Sequence, residues 1–455
     1  MIKEENMHMK VTVYESSPLQ SRYYTEKELA YGEADEQLEG NIINIVDDAE
    51  YQEILGFGGA FTEAAAYNYS LLDEETKKDF LKKYFDREEG IGYNFGRTHI
   101  NSCDFALDVY SYVEEGDMTL ETFSIERDRK YIIPFLKDAM KVCKDDLVLM
   151  ASPWSPPAYM KTNNNALQGG MLKEEYRKLW ALYYAKYIKA YRAEGISITA
   201  ISIQNEPKAV QTWESCVWSA TQEREFIQYD LLPVFEAEGL SDIKIIIWDH
   251  NKERVYERAK DVLSSKVVEE NVWAVGHHWY SGEHFEGLSL VQEQLHKPNI
   301  STEFCVGDDG FGIPLNNAEK YAKHICQNLN HYMIASCDWN LLLDDEGGPF
   351  HNRISGGCNA PVRYDRSTGK LEYTPVYYYI GHFSKYIRRG AKRLGIIRFT
   401  DDLYACAFRN PDDSIVAVVM NPTDVEQEVV FRHQKKNTIY VMPAHSIATV
   451  RFQEV

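Results

Sequence analysis

Short apolar runs alternate with longer amphipathic stretches through the middle of the chain. The runs are Ile54–Ala60, Phe95–Ile100, Leu147–Ala151, Ile198–Ile203, Lys244–Trp248, Val272–His278, Asn299–Glu303 and Ala335–Leu341. Between them, Glu74–Phe85, Ile125–Lys141, Lys173–Glu194, Glu223–Glu238 and Ala318–Tyr332 repeat apolar residues at helical spacing. Short runs bounded by turn residues predict strands, and the 3.6-residue period predicts helices. Strand–helix alternation calls for a parallel sheet. Eight such units over roughly 330 residues predict an α/β fold, a (β/α)8 TIM barrel with insertions. A doubly wound sheet is the alternative. Against it, Gly56-Phe57-Gly58-Gly59 opens no G-x-G-x-x-G fingerprint, and close backbone packing accounts for those glycines.

The two ends follow another pattern. Ile396–Phe399, Leu403–Arg409, Ser414–Met420, Glu428–Arg432, Thr438–Met442 and Ala448–Phe452 are short apolar runs separated by turns such as Asn410-Pro411-Asp412-Asp413. That spacing predicts a small antiparallel β-sandwich beside the barrel. Met9–Tyr14 and Asn41–Val46 are strand candidates at the other end. The expected division is residues 1–50 contributing strands to the side sandwich, 51–388 as catalytic barrel and 389–455 as the rest of the sandwich.

Composition narrows the partners. The 455 residues carry 70 acidic and 49 basic side chains, a formal net charge of -21. Nucleic acid and anionic membrane surfaces need clustered Lys and Arg, and the short basic clusters near Arg388 and Lys435 are too small to reverse this field. No apolar run approaches the ~20 residues of a membrane span. Met1–Lys10 is polar and charged, without an export signal, so the expectation is a cytoplasmic protein with its thiols reduced. The eight cysteines form no C-x-x-C pair. Aromatic residues make up 13 %, with 31 Tyr and 8 Trp, which suits either core packing or a platform for flat sugar faces.

In a barrel of this kind the active site lies at the C-terminal strand ends. Arg97, His99, Asn101 and Asp104 follow the second strand, and Ser152-Pro153-Trp154 ends the third. Asn205-Glu206 ends the fourth, Trp248-Asp249-His250 the fifth and His277-His278-Trp279-Tyr280 the sixth. Glu303 ends the seventh and Asp338-Trp339-Asn340 the eighth. Glu206 and Glu303 each close an otherwise apolar strand, where a carboxylate is costly unless it is partnered or protonated. A pair of opposed carboxyls suits glycoside hydrolysis: one protonates the leaving oxygen and the other meets the oxocarbenium-like carbon. A bland reading of either alone is a strand-end Glu bound to an Arg or a backbone amide. Metal is not expected, because His277 and His278 point to opposite faces of their strand and no H-E-x-x-H occurs. Cys305 shares the face of Glu303, but no base is paired with it in the sequence, so a thiol nucleophile is not expected.

Several segments then carry a resemblance. They are Gly56–Ala66 (GFGGAFTEAAA), Ser102-Cys103-Asp104-Phe105, Ala151–Pro157 (ASPWSPP), Asn205-Glu206-Pro207, His278-Trp279-Tyr280, Glu303–Gly307 (EFCVG), Trp339-Asn340-Leu341 and Gly381–Tyr386 (GHFSKY). In this order, over roughly residues 50 to 455, the chain resembles glycoside hydrolase family 30, and its glucosylceramidase-like members in particular. The resemblance implies Glu206 as general acid/base, with a raised pKa, and Glu303 as an ionised nucleophile. It implies Asn205 on the sugar 2-OH and Tyr280 orienting the nucleophile. Asp104, Trp154, Trp339 and Asn352 would hold the terminal sugar. Arg97 is expected to pair with Glu206 or Glu303, and His278 to hydrogen-bond at the mouth. No cofactor is implied.

Two loops depart from the glucosylceramidase pattern, Ser355–Asn359 and Gln211–Glu214. They shape the aglycone side, so ceramide specificity does not carry over, and sphingolipid metabolism is a matter of resemblance alone. The expectation is a retaining β-glycosidase acting on small β-glycosides, β-glucosides first, with a small carbohydrate as its partner. The alternatives are an endo-acting β-1,6-glucanase or xylanase, an exo β-xylosidase or β-fucosidase, a metal-dependent hydrolase, and a sugar-binding protein on an inactive barrel.

Overall fold

A computed structural model describes residues 9–33, 40–143, 147–307, 314–351 and 358–454. The eight central strands close into a parallel barrel. In chain order they are β1 (Gly56–Ala60), β2 (Phe95–Ile100), β3 (Val148–Pro153), β4 (Ile198–Ser202), β5 (Lys244–Asn251), β6 (Val272–His278), β7 (Asn299–Glu303) and β8 (Met333–Asn340). Each lies within a few residues of its expected run, and the barrel is the predicted fold. β1 carries small residues at four of its five positions, and at Gly58 and Gly59 its neighbours leave no room for more. A Cβ on Gly58 would sit 1.4 Å from the Phe95 carbonyl oxygen of β2. This is the close approach that the glycine cluster signalled.

The helices match less evenly. Glu74–Phe85 has the expected bounds and starts at Asp73, whose side chain caps Thr76 N–H. The expected Glu223–Glu238 helix is broken by a π-helical turn over Phe226–Leu231. Glu63–Leu71, Val255–Val262, Phe285–Leu295 and Pro375–Ser384 are helices the sequence pattern did not single out. Glu63–Leu71 is buried on most faces, so it carries no amphipathic stripe to read.

Leu343–Asp344, Val362–Asp365 and Lys370–Tyr373 form a separate three-stranded sheet, and ten further strands build one larger sheet. Its order interleaves the chain ends. Met9–Ser17 lies beside Ser446–Glu454, and Asn41–Glu53 lies between Lys392–Arg398 and Gln427–His433. Val11 and Val13 share one apolar core with Phe431, Tyr440 and Met442 from the far end of that order, and the Tyr440 hydroxyl donates to Glu15. The sheet therefore doubles over on itself as a sandwich.

By compactness the chain divides into two units that alternate along the sequence. One comprises residues 1–56, 312–334 and 373–455, and the other 57–311 and 335–372. In the first, the helices Pro314–Asn330 and Pro375–Ser384 pack on each other and on the sheet. His382 ties the second of them to Ser16 and Thr449 by bonds of 2.9 Å.

Candidate active site

Arg97 is the third residue of β2 and its side chain has no solvent exposure. A buried guanidinium must have its donors filled. Nη1 donates to Glu303 Oε2 at 2.6 Å, Nη2 to Asn205 Oδ1 at 2.8 Å and Asp249 Oδ2 at 2.9 Å, and Nε to Ser152 Oγ at 3.1 Å. One side chain thus gathers residues from the ends of β3, β4, β5 and β7. Of the two expected partners, it takes Glu303.

Asp249 is the second hub, a residue that the sequence places at a strand end without giving it a role. Its Oδ2 accepts from Arg97 and from the hydroxyls of Ser152 at 3.0 Å and Ser202 at 2.5 Å, while Oδ1 lies 3.0 Å from His278 Nε2. Burial would raise its carboxyl, but Arg97 and His278 hold it far below the usual carboxylate range. The signal that singled out Glu206 and Glu303, an acid closing an apolar strand, applies equally to Asp249 after Lys244–Trp248. What the pattern does not show is the backbone that aims it. Trp248 and Asp249 both lie in the left-handed region, with φ of 72° and 52°, and the β5–β6 register slips by one residue there. This bulge turns Asp249 toward Arg97. A second slip, between β6 and β7, pairs His278 with Glu303.

Glu206 lies four residues beyond the end of β4, with φ of 48°, and its N–H donates to the Asp249 carbonyl at 2.9 Å. Its Oε1 is 3.3 Å from His278 Nδ1 and 3.6 Å from His250 Nδ1. Burial alone would raise the Glu206 carboxyl. The imidazoles of His250 and His278 more than offset this and hold it well below the usual carboxylate range. This corrects the expected raised value. The charge of Glu303 is engaged by Arg97, and the imidazoles are what Glu206 meets first. His278 moves the other way. Burial would lower it, but the carboxylates of Glu303, Asp249 and Glu206 lift it to about 9. The proton of the Glu206–His278 pair therefore rests on the imidazole.

Glu303 ends β7. Its second oxygen, Oε1, accepts from the Tyr280 hydroxyl at 2.9 Å. Tyr280 is anchored by its own N–H on Asn251 Oδ1 at 3.0 Å, and its hydroxyl also lies 3.5 Å from Cys305 Sγ. Glu303 and Glu206 stand at opposite ends of one bonded chain: Glu303, Arg97, Asp249, His278, Glu206.

Asp104 follows β2. Its Oδ1 is buried with no hydrogen-bond partner among the described residues. Burial, followed by the carboxylates of Glu303, Glu214 and Glu206, pushes its carboxyl well up. Glu214, from one of the two departing loops, holds His351 Nε2 at 3.0 Å with one oxygen and leaves its other, buried Oε1 equally without a partner among the described residues. Trp154 and Trp339 come together, but not as separate walls. Their rings stack at 5.2 Å and 25°, with the Arg97 guanidinium 4.7 Å from Trp154, so part of each face is already covered. His99 is taken up by backbone, with Nε2 accepting from Glu63 N–H and Nδ1 lying 2.6 Å from the Asn101 carbonyl. Asn352 lies outside the described residues. Ser152, Asp249 and His250 stand at strand ends and Glu214 in a departing loop, but the sequence assigns them no role, and Ser202 and His351 carry no sequence signal at all.

A cationic hub, two carboxylates on separate strand ends and an imidazole that can carry a proton to one of them are the parts that acid-assisted displacement requires. Comparison with known proteins is consistent with this arrangement. The fold superposes on the crystal structure of SrfJ from Salmonella typhimurium with a TM-score of 0.94 and 32% identity, covering 98% of this chain and 100% of that one. It also superposes on the endo-β1,6-glucanase BT3312, with a TM-score of 0.87 and 25% identity over 97% of this chain and 99% of that one. Mouse lysosomal acid glucosylceramidase is 31% identical over 403 residues, 84% of this chain and 77% of the relative. A Trichoderma harzianum endo-1,6-β-D-glucanase is 28% identical over 81% of this chain and 78% of the relative. The family model for the glycosyl hydrolase family 30 TIM-barrel domain matches residues 54–387, and that for the family's β-sandwich domain matches residues 390–450. The chain belongs to glycosyl hydrolase family 30 and is a glycoside hydrolase.

Proposed function

We propose that the protein is a retaining β-glycosidase that removes a terminal sugar, a β-glucosyl group first, from small glycosides. The observation that carries this reading is the division of labour between the two glutamates. Glu303 takes one strong donor on each oxygen, Arg97 and Tyr280, which suits an ionised nucleophile held in a fixed rotamer. Glu206 sits against His278, which holds a proton and can return it. Glu303 attacks the anomeric carbon while Glu206, protonated through His278, delivers its proton to the leaving oxygen. Loss of the Glu303 charge in the glycosyl-enzyme then lets Glu206 take a proton from water. Asn205, with its carbonyl oxygen on Arg97, presents its amide N–H end to the sugar 2-OH. The unfilled oxygens of Asp104 and Glu214 are acceptors for hydroxyls at the far side of the ring, which favours a terminal sugar over a mid-chain one. The likeness to endo-β-1,6-glucanases supports a second reading, internal cleavage of a β-1,6-glucan.

The test is incubation with an aryl 2-deoxy-2-fluoro-β-glucoside, followed by peptide mass analysis and NMR of the first-formed anomer with an unmodified aryl glucoside. The expected result is a fluoroglucosyl adduct on Glu303 and a β-anomeric product. An α-anomeric product, or an adduct elsewhere, overturns the retaining assignment. Oligosaccharide products from β-1,6-glucan in place of glucose would favour the endo reading.

A further inference from the structure

We propose that Glu206, His250 and His278 form a three-ligand site for a borderline-soft divalent cation such as zinc, and that a cation held there shuts the enzyme off. Glu206 Oε1 lies 3.3 Å from His278 Nδ1 and 3.6 Å from His250 Nδ1, and one ligand atom from each of the three residues lies within 4.8 Å of the others. Tetrahedral zinc, with bonds of about 2.0–2.2 Å to nitrogen and oxygen, places its ligand atoms about 3.4 Å apart. The two separations from Glu206 match that value, and the two imidazoles, within 4.8 Å of each other, need only rotate or draw together to meet it. Two imidazoles and a carboxylate are also a ligand set that zinc accepts while keeping a fourth position open.

Three further observations favour a cation. First, His278 turns its other nitrogen, Nε2, to Asp249 Oδ1 at 3.0 Å, and Asp249 is itself held by Arg97, Ser152 and Ser202. A carboxylate behind the histidine is the arrangement that fixes the orientation of metal-binding imidazoles. Second, His250 Nδ1 is buried without a hydrogen-bond partner among the described residues, and faces Glu206. Third, the same chain of contacts holds three carboxyl groups, Glu206, Asp249 and Glu303, against a single guanidinium, that of Arg97. Entry is open from the mouth, where the Glu206 and His250 side chains keep 13% and 12% exposure.

The cation takes the lone pairs of Glu206 Oε1 and His278 Nδ1, and any proton on His278 Nδ1 leaves to solvent as it binds. With Oε1 bonded to metal, Glu206 has no proton to give to a leaving oxygen. The shut-off rests on the acid/base reading of Glu206, whereas the binding does not. The ligands come from the ends of three different strands, so no local motif announces them. His250 is a neighbour of His278 only in space, where His277 is its neighbour in sequence but faces away.

The experiment uses the full chain and zinc chloride alone. Calorimetry in a non-coordinating buffer measures binding, zinc-edge X-ray absorption reads the ligands, and aryl β-glucoside turnover with and without chelator reads the effect. The expected result is one zinc per chain, nitrogen and oxygen scatterers only, and inhibition that chelator reverses. His250→Gln and His250→Asn should each weaken zinc binding about tenfold or more, judged on variants whose unfolding temperature matches the parent. Cys358→Ser should leave the affinity unchanged. This last variant matters because the Cys305 and Cys358 sulfurs, 3.2 Å apart, are the competing soft ligands. Absent binding, sulfur in the absorption spectrum, or affinity lost in Cys358→Ser and kept in both His250 variants overturns the proposal. Zinc binding through His250 in a protein that turns over no glycoside would leave the site standing and defeat the catalytic reading instead.

Discussion

Arg97 is fully buried with two carboxylates on its fork, so its two substitutions separate charge from geometry. Arg97→Met leaves Glu303 buried without its guanidinium and Asp249 with His278 alone, and should destabilise the fold by about 3–5 kcal/mol, measured by denaturant unfolding. Arg97→Lys keeps the charge but cannot reach four acceptors at once, so it should fold while losing turnover by about a hundredfold or more, measured with an aryl glucoside. The titration of His278 makes a second prediction at this scale. Its pKa rises from the usual 6.5 to about 9 in the folded protein, so the protonated form is the one that folding favours. Its contribution is complete below pH 6.5 and disappears as pH climbs through about 9, a change on the order of 3 kcal/mol. Unfolding temperature should fall across that window, and His278→Asn should flatten the slope. Turnover should fade over the same alkaline range as the Glu206–His278 pair loses its proton. Asp249 and Glu206 act in the opposite sense. Both are depressed, so their contribution is present above the usual carboxylate range and is lost on acidification.

At the level of elements, the site depends on where strands depart from regularity. β1 pairs so closely with β2 that Gly58 faces a carbonyl, not a side chain that could move aside. Gly58→Ala should therefore cost about 3 kcal/mol or more, and calorimetric unfolding would show it. A surface control, Gly369→Ala, has open space around its Cβ but a left-handed φ of 72°, so it should cost only about 1 kcal/mol. The bulge at Trp248–Asp249 and the slip at His277–His278 are equally consequential. In a strand the side chains alternate faces, so one inserted residue decides which of two neighbours looks into the barrel.

For the whole molecule, the interleaved sheet makes the two chain ends depend on each other. Asn41–Glu53 occupies the position between Lys392–Arg398 and Gln427–His433, so the C-terminal strands alone do not form a continuous sheet. A chain lacking residues 1–53 should expose four unpaired strand edges, on Ser446–Glu454, Lys392–Arg398, Gln427–His433 and Lys436–Met442, and lose soluble yield and cooperative unfolding, readable by size-exclusion chromatography and calorimetry. Restoring residues 1–53 as a separate peptide should recover part of the folded signal.

The sequence by itself determined the architecture and the family. Apolar runs at strand length, helical periods between them and turn residues between the terminal runs depend on local chemistry, and local chemistry is legible along a chain. Glu206 and Glu303 were legible for the same reason: a carboxylate closing an apolar strand costs free energy wherever the strand is buried. Tyr280 was legible only through the family resemblance. The tertiary structure alone decided the electrostatics. Arg97 engages Glu303, and His278 holds the proton at Glu206, because residues far apart in the chain meet at the mouth of a closed barrel. Asp249 and His250 entered the site through backbone bulges that leave no pattern in hydrophobicity. A pKa depends on which charges lie within a few ångströms, and that distance is a property of the fold.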